Sequence, residues 1–254
     1  MIKKSYAKVN IFLKIAGKRN NYHELVSRFV RVHSLYDEIS FVEEYCEKFT
    51  LIGDFGCDIK KNTIYNVYEQ LKNISPKVEE YFKNHSVKVD KNIPEFAGLG
   101  GGSSNCATFM LMVNDVCNLN LSKNELVKIG LTIGADVPFF IYEYDSANVT
   151  GIGEIVEKFD EEILNIEVIT PKIECNTGQI FNKFRELFYK EISKKDKIKL
   201  LNLKSKEILA ILSTKEANDL FEPAVAIYPE LSEYNKNEWH FSGSGSSFFK
   251  VSNE

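Results

Sequence analysis

Little in this sequence suits a metal site, a disulfide framework or a membrane. The five cysteines, at positions 46, 57, 106, 117 and 175, are odd in number, scattered and never in C-x-x-C spacing. That pattern argues against structural zinc and for free thiols in a reducing cytoplasm. No apolar run approaches the length of a membrane helix, and Lys3, Lys4, Lys8 and Lys14 interrupt any signal-like N-terminal segment. Basic charge is not in excess either. The 32 lysines and arginines stand against 36 aspartates and glutamates, so no nucleic-acid partner is expected. Internal repeats and low-complexity tracts are absent, and no lysine falls between Lys91 and Lys123.

What the chain does have is 44% apolar residues over 254 positions, enough to bury a core in one large domain or two smaller ones. It also has one glycine-dense stretch. Pro94–Ser104 reads Pro-Glu-Phe-Ala-Gly-Leu-Gly-Gly-Gly-Ser-Ser. Val87 and Val89 before it alternate as a short strand does. Ala107, Met110, Leu111 and Val113 after it recur at helical spacing. Strand, glycine loop and helix start, in that order, make an anion site, because glycines let the backbone approach and the first helical N–H groups lack internal partners. Two common glycine loops are excluded by counting. From Gly98, G-x-G-x-x-G needs glycine where Ser103 stands, and a Walker A loop needs the lysine that is missing.

In chain order, residues 5–15 alternate as a strand. Ala7, Val9, Ile11, Leu13 and Ile15 take one face; Tyr6, Lys8, Asn10, Phe12 and Lys14 take the other, which is expected to be the wet side. A turn is expected at Gly17–Asn21, then separate strands at Leu25–Val32 and Ile39–Val42. Asn62 opens a helix with Ile64, Val67, Tyr68 and Leu71 on one face, and a weaker helix follows Pro76. Ser122 and Glu125 form a capping box for a helix ending at Gly134. Asp136, just before Pro138, reads as a turn or N-cap aspartate. Strands recur at Ala147–Thr150 and Ile155–Val156 around Gly151-Ile152-Gly153. The acidic Asp160–Glu162 suggests a boundary, giving expected domains 1–160 and 161–254. Beyond it come a strand at Ile166–Thr170, a helix that Thr177 is expected to cap, helices near Lys206–Leu212 and Phe221–Ile227, and a second glycine–serine turn at Gly243–Ser247 before the strand Phe248–Val251. This is a mixed α+β chain in two lobes.

Three segments then align. Ala7-Lys8-Val9-Asn10, Gly98-Leu99-Gly100-Gly101-Gly102-Ser103-Ser104-Asn105 and Gly243-Ser244-Gly245 together resemble the three signatures of the GHMP small-molecule kinases. The resemblance extends through Tyr22-His23, Leu131–Pro138, Gly151-Ile152-Gly153-Glu154, Thr177 with Phe181, and Asn218-Asp219-Leu220. Within that superfamily it is nearest the branch acting on a cytidine diphosphate-linked methylerythritol. It implies an α+β, two-lobed GHMP kinase fold, with an N-terminal lobe like domain 2 of ribosomal protein S5 and an α+β C-terminal lobe.

The resemblance also implies roles. Lys8 and Asp136 are expected as the catalytic pair, with Asp136 the base toward the acceptor hydroxyl. ATP phosphates are expected along Pro94, Glu95, Phe96, Ala97, Gly98, Leu99, Gly100, Gly101, Gly102, Ser103 and Ser104. Asn10 would place the polyol, and Tyr22, His23, Thr177 and Phe181 the cytosine. Mg²⁺ is expected with ATP, with Ser104 one contact and no carboxylate ligand assigned. A small-molecule substrate, no nucleic acid, no membrane and a monomer or weak homodimer complete the expectation. Glu95 and Phe96 depart from the family's small residues, and a phenylalanine there is not expected to supply a glycine-like turn. A binding protein on the same scaffold, without turnover, remains the alternative from another class.

Overall fold

A computed structural model describes residues 1–19 and 22–252, with Tyr22 described through its backbone alone. The first half of the chain forms β1 (Ile2–Arg19), β2 (Tyr22–Glu43), β3 (Leu51–Ile52), α1 (Thr63–Ile74), α2 (Pro76–Phe82), β4 (His85–Asp90), α3 (Gly101–Val116), α4 (Lys123–Leu131) and α5 (Val137–Tyr142). The second half forms β5 (Ser146–Gly151), β6 (Ile155–Lys158), β7 (Ile166–Ile169), α6 (Thr177–Lys183), α7 (Lys194–Asn202), α8 (Ser205–Ile211), α9 (Thr214–Ala217), α10 (Phe221–Ile227), β8 (His240–Phe241) and β9 (Phe248–Val251).

Two expectations about strands change. The segments expected at 25–32 and 39–42 are one 22-residue strand, β2. Nothing between them is Gly or Pro, so residues 33–38 turn no corner. Likewise β1 runs on through Gly17 to Arg19; the remainder of the expected turn, Asn20 and Asn21, lies outside the described residues.

The chain divides into two compact units whose segments interleave. Residues 144–254 fall together in one of them, so this partition differs from a single cut near 160. The first unit contains residues 1–7, 35–93 and 101–143. Here the end of β2 pairs antiparallel with β4, from Glu38 opposite Asp90 to Glu43 opposite His85, and β3 runs parallel to β4. Asn62 accepts from the Ile64 amide and starts α1, whose Ile64, Val67, Tyr68 and Leu71 are buried as the spacing predicts. The Ser122–Glu125 capping box is present on α4, an arrangement that stabilises a helix by about 1 kcal/mol; the helix ends at Leu131, shortly before Gly134. α3 is buried on nearly every side and packs against α1 and α5. An aromatic cluster closes the unit, with Phe49 stacked on Tyr68 at 3.8 Å and Phe82 on Phe109 at 5.6 Å.

The second unit contains residues 8–34, 94–100 and 144–254. The start of β2 pairs with β5 from Leu25 opposite Gly151 to Val30 opposite Ser146, and β6 follows β5. A separate sheet has the order β7-β9-β8. Its apolar core gathers Leu13, Ile15, Ile180, Phe184, Phe221 and Phe248. A buried polar knot joins α7 and α8 to the strands of this unit. Arg28 donates to Asn148 at 2.7 Å and to the Leu201 carbonyl at 3.1 Å. Glu161, paired with Arg28 at 3.6 Å, accepts the Ser205 amide and hydroxyl at the start of α8.

His240 is buried on β8, with its ring 5.8 Å from that of Phe249 and its Nδ1 without a hydrogen-bond partner. Burial lowers its pKa to about 4. The folded chain therefore holds a neutral imidazole where the unfolded chain takes up a proton near pH ~6.5, so stability falls as pH drops from about 6.5 toward 4. His240→Phe keeps a ring against Phe249 and removes that proton uptake. In urea unfolding at about pH 7.5 and about pH 5, the variant should lose about 2 kcal/mol less than wild type on acidification. Equal acid losses in the two proteins would assign the pH dependence elsewhere.

Candidate active site

The face of β1 expected to be wet is enclosed at its middle, while Tyr6 and Lys14 at its ends are half-buried. Lys8 is 3% exposed and Asn10 1% exposed. A buried ammonium is costly unless oxygens surround it, and the second unit supplies them. Lys8 Nζ donates to Asn10 Oδ1 at 2.7 Å and to the Gly98 carbonyl at 3.1 Å, and it lies 4.6 Å from the centre of the Phe29 ring. Asn10 Nδ2 in turn donates to Ser27 Oγ at 3.0 Å. Asn10, expected to place the polyol, thus has its amide oxygen committed to Lys8.

Bringing the Gly98 carbonyl to Lys8 requires an unusual loop. Phe96, Gly98 and Gly100 take φ of 51°, 72° and 71°, so alternate residues are left-handed. Phe96 does supply a glycine-like turn, contrary to expectation; its side chain is 56% exposed, which leaves the Cβ without crowding from a packed core. Gly98 has no such freedom, because a Cβ there would run into the Ser242 carbonyl oxygen. The loop carbonyls are tied inward. Ala97 accepts from the Ser247 amide at 3.1 Å, Leu99 from the Lys8 amide at 2.9 Å, and Gly98 also from Ser242 Oγ at 3.0 Å. Lys8–Asn10, Gly98–Gly100 and the Gly243 turn, parts of the three segments named by the resemblance, therefore meet within one unit. The Gly243 turn is held by Asn218, whose Nδ2 donates to the Phe241 and Gly243 carbonyls at 3.0 and 2.9 Å. Asp219 accepts the Ile15 amide at 2.9 Å and pairs with Lys14, which ties the same segment to β1.

At Gly101 the chain passes into the first unit and begins α3. No acidic residue occupies its first turn, and its leading N–H groups have no intrahelical acceptors. Ser104 is 1% exposed and accepts from Ser5 Oγ at 2.8 Å, so its side chain is turned into the packing of α3. Ser103 is the one beside Gly134, where an added Cβ would come within 3.3 Å of its Oγ. The first turn of α3 thus abuts the turn that leads to Asp136. Asp136 stands at the N-cap position of α5, but its side chain makes no capping hydrogen bond. The cap reading does not describe its carboxylate.

The third group lies in the second unit. His23 stacks on Phe181, centroids 5.4 Å apart and planes 19° from parallel. Its Nε2 is buried without a partner. Burial first, then the charges of Arg185 and Lys18, holds its pKa below the usual imidazole value. Thr177 is not the cap of α6. Asn176 accepts the Gln179 amide and fills that role, while the Thr177 hydroxyl meets Ser244 Oγ at 2.7 Å. The side chain of Tyr22 lies outside the described residues. Sequence reasoning missed Ser27, Phe29 and Ser242. Each is an ordinary residue in its local pattern, and only tertiary contact marks it.

The fold and this cluster define a small-molecule kinase of the GHMP type. The family profile described as the GHMP kinases N terminal domain matches residues 62–144. The chain is 55% identical to a 4-diphosphocytidyl-2-C-methyl-D-erythritol kinase of Sulfurimonas denitrificans, covering 98% of this chain and 96% of the relative. It is 46% identical to an enzyme of the same name from Sulfurovum sp., covering 97% of each. A solved 4-(cytidine 5'-diphospho)-2C-methyl-D-erythritol kinase superposes with a TM-score of 0.76 at 25% identity, over 100% of this chain and 90% of that one. The chain belongs to the 4-diphosphocytidyl-2-C-methyl-D-erythritol kinase family of the GHMP kinases.

Gly98 and Gly102 offer a contrast in the same loop. A Cβ at Gly102 meets only Thr63 at 3.7 Å. Gly98→Ala should lower unfolding free energy by about 2–4 kcal/mol, combining left-handed strain with overpacking. Gly102→Ala should leave it within about 0.5 kcal/mol or raise it. Denaturant unfolding of the two variants checks this; equal effects would mean that contact with Ser242 does not constrain the loop.

Proposed function

We infer that this chain transfers the γ-phosphoryl group of ATP to a hydroxyl of 4-diphosphocytidyl-2-C-methyl-D-erythritol, giving the 2-phosphate in the non-mevalonate route to isoprenoid precursors. The observation that carries this reading is the meeting of Lys8, the Gly98 carbonyl and the Gly243 turn in one buried cluster, in a chain aligned over nearly its whole length with kinases of that name. Phosphoryl transfer asks mainly for positioning and for charge stabilisation where negative charge develops. Lys8, placed beside Asn10 Oδ1 and the Gly98 carbonyl, is the cation proposed to stabilise charge developing at the γ-phosphate. Backbone amides along Pro94–Ser104 and the start of α3 cradle the phosphates. Asp136 accepts the proton of the attacking hydroxyl. Among the described residues no group of three or more His, Cys, Asp or Glu could hold a metal; a Mg²⁺ arriving with ATP would be held mainly by phosphates and water. No described helix is long and apolar enough to cross a membrane. All five cysteines are free, which suits a reducing cytoplasm.

Asp136→Asn and Lys8→Met should each fold and bind ATP while losing about 10²–10³ or more in kcat, and the double variant should be little worse than either. An ATP-coupled assay offering the cytidylyl substrate, mevalonate and homoserine should show turnover with the first alone. A folded Asp136→Asn enzyme with wild-type kcat would remove its role, and equal turnover of mevalonate would remove the acceptor.

His23, Phe181, Thr177 and Tyr22 are the residues proposed to recognise cytosine. His23 and Phe181 already touch one another, so a base stacks beside the pair and not between its rings. A neutral imidazole offers one donor and one acceptor to the base edge. Phe181→Ala should raise KM for the cytidylyl substrate by about 5- to 150-fold, the equivalent of 1–3 kcal/mol of stacking, and leave KM for ATP unchanged. A large drop in melting temperature with both KM values intact would make Phe181 a packing residue only.

A further inference from the structure

We propose that Ser27 is a positioning residue for phosphoryl transfer: its hydroxyl holds the NH₂ end of the Asn10 amide and so locks the amide oxygen onto Lys8. The proposal rests on the reading of Lys8 as a site residue given above. A carboxamide has two ends of nearly equal shape and opposite polarity. Facing an ammonium, the oxygen attracts and the NH₂ group repels, and in a buried site that difference is large. Lys8 can only donate, so it favours the oxygen end, but a bond to that oxygen does not hold the NH₂ end in place.

Ser27 supplies the second anchor. It is fully buried on β2, and its hydroxyl donates to the Phe12 carbonyl. With its proton committed there, Ser27 Oγ faces Asn10 as an acceptor. The group it accepts from at 3.0 Å is Asn10 Nδ2, and Oδ1 is thereby left for Lys8 at 2.7 Å. The chain of bonds runs one way, from Lys8 to Asn10 and from Asn10 through Ser27 to the Phe12 carbonyl, so no member can be reversed without leaving another unsatisfied. Two residues further along β2, Phe29 places its ring 4.6 Å from Lys8 Nζ. One face of β2, carrying Ser27 and Phe29, thus supports the ammonium from two sides. Packing alone gives no reason for serine here, since the centre of a buried strand favours β-branched apolar residues.

Ser27→Ala removes the hydroxyl, and the near-isosteric Ser27→Cys removes its hydrogen-bonding strength while keeping its volume. Both should lower kcat about tenfold, the cost of one buried polar group left unmatched, with KM for ATP and for the acceptor unchanged. In an Asn10→Ala background, Ser27→Ala should cost nothing more, because Ser27 acts only through Asn10. Full kcat in folded Ser27→Cys, or a loss that multiplies with that of Asn10→Ala, overturns the proposal. If Ser27→Ala does not fold, the cysteine variant carries the test. Lys8→Met, assayed beside them, separates the two levels. Wild-type turnover in Lys8→Met removes the site and this inference with it, whereas an inactive Lys8→Met next to a fully active Ser27→Cys removes the role of Ser27 alone.

Discussion

A buried ammonium is the constraint from which much of the second unit follows. Lys8 sits at 3% exposure, where an unmatched charge would cost several kcal/mol. Two of the oxygens that meet it come from separate places: the side chain of Asn10 on the same strand and the backbone of Gly98 ninety residues later. A backbone carbonyl can be delivered only by bending the chain. The bend is made with left-handed residues at 96, 98 and 100. That close approach presses Gly98 onto Ser242, and Gly243 onto the Gly98 carbonyl at 3.0 Å from where a Cβ would be. One charge thereby imposes glycine on two segments far apart in sequence.

The units solve their packing differently. The first is closed by aromatic rings around α3, where the stabilisation scales with buried apolar area. The second has an apolar core too, but its irregular segments are tied by buried polar side chains. Asn218 holds the glycine–serine turn, Asp219 anchors to β1, and Arg28 with Glu161 fastens α7 and α8. Polar ties of this kind are directional, and each satisfies backbone groups that a loop leaves open. That property suits a unit whose loops must present atoms at set positions. Asp37 does a related service in the first unit, accepting the amides of Asn92 and Ile93 at 2.7 and 2.8 Å just before the glycine loop begins.

Local signals were legible where the physics is local. Alternation along residues 5–15, the Asn62 and Ser122 caps, the apolar stripe of α1 and the glycine-rich entry to α3 all depend on residues within a turn or two of each other, and each is present in the structure. The sequence by itself determined which residues could carry chemistry: a lysine and an asparagine on one strand face, a loop able to go left-handed, and a histidine next to a tyrosine. Burial could not be read this way. Lys8 and Asn10 looked solvated because period-two alternation reports which residues share a face, and never what covers it. Only the tertiary structure decided that the polar face of β1 is enclosed at its middle, that β2 continues unbroken where two strands were expected, that Asn176 and not Thr177 caps α6, and that Ser27 and Phe29 support Lys8. The reason is the same each time: these outcomes depend on groups supplied from distant positions, and a side chain's neighbours across strands and loops leave no mark on the residues next to it in the chain.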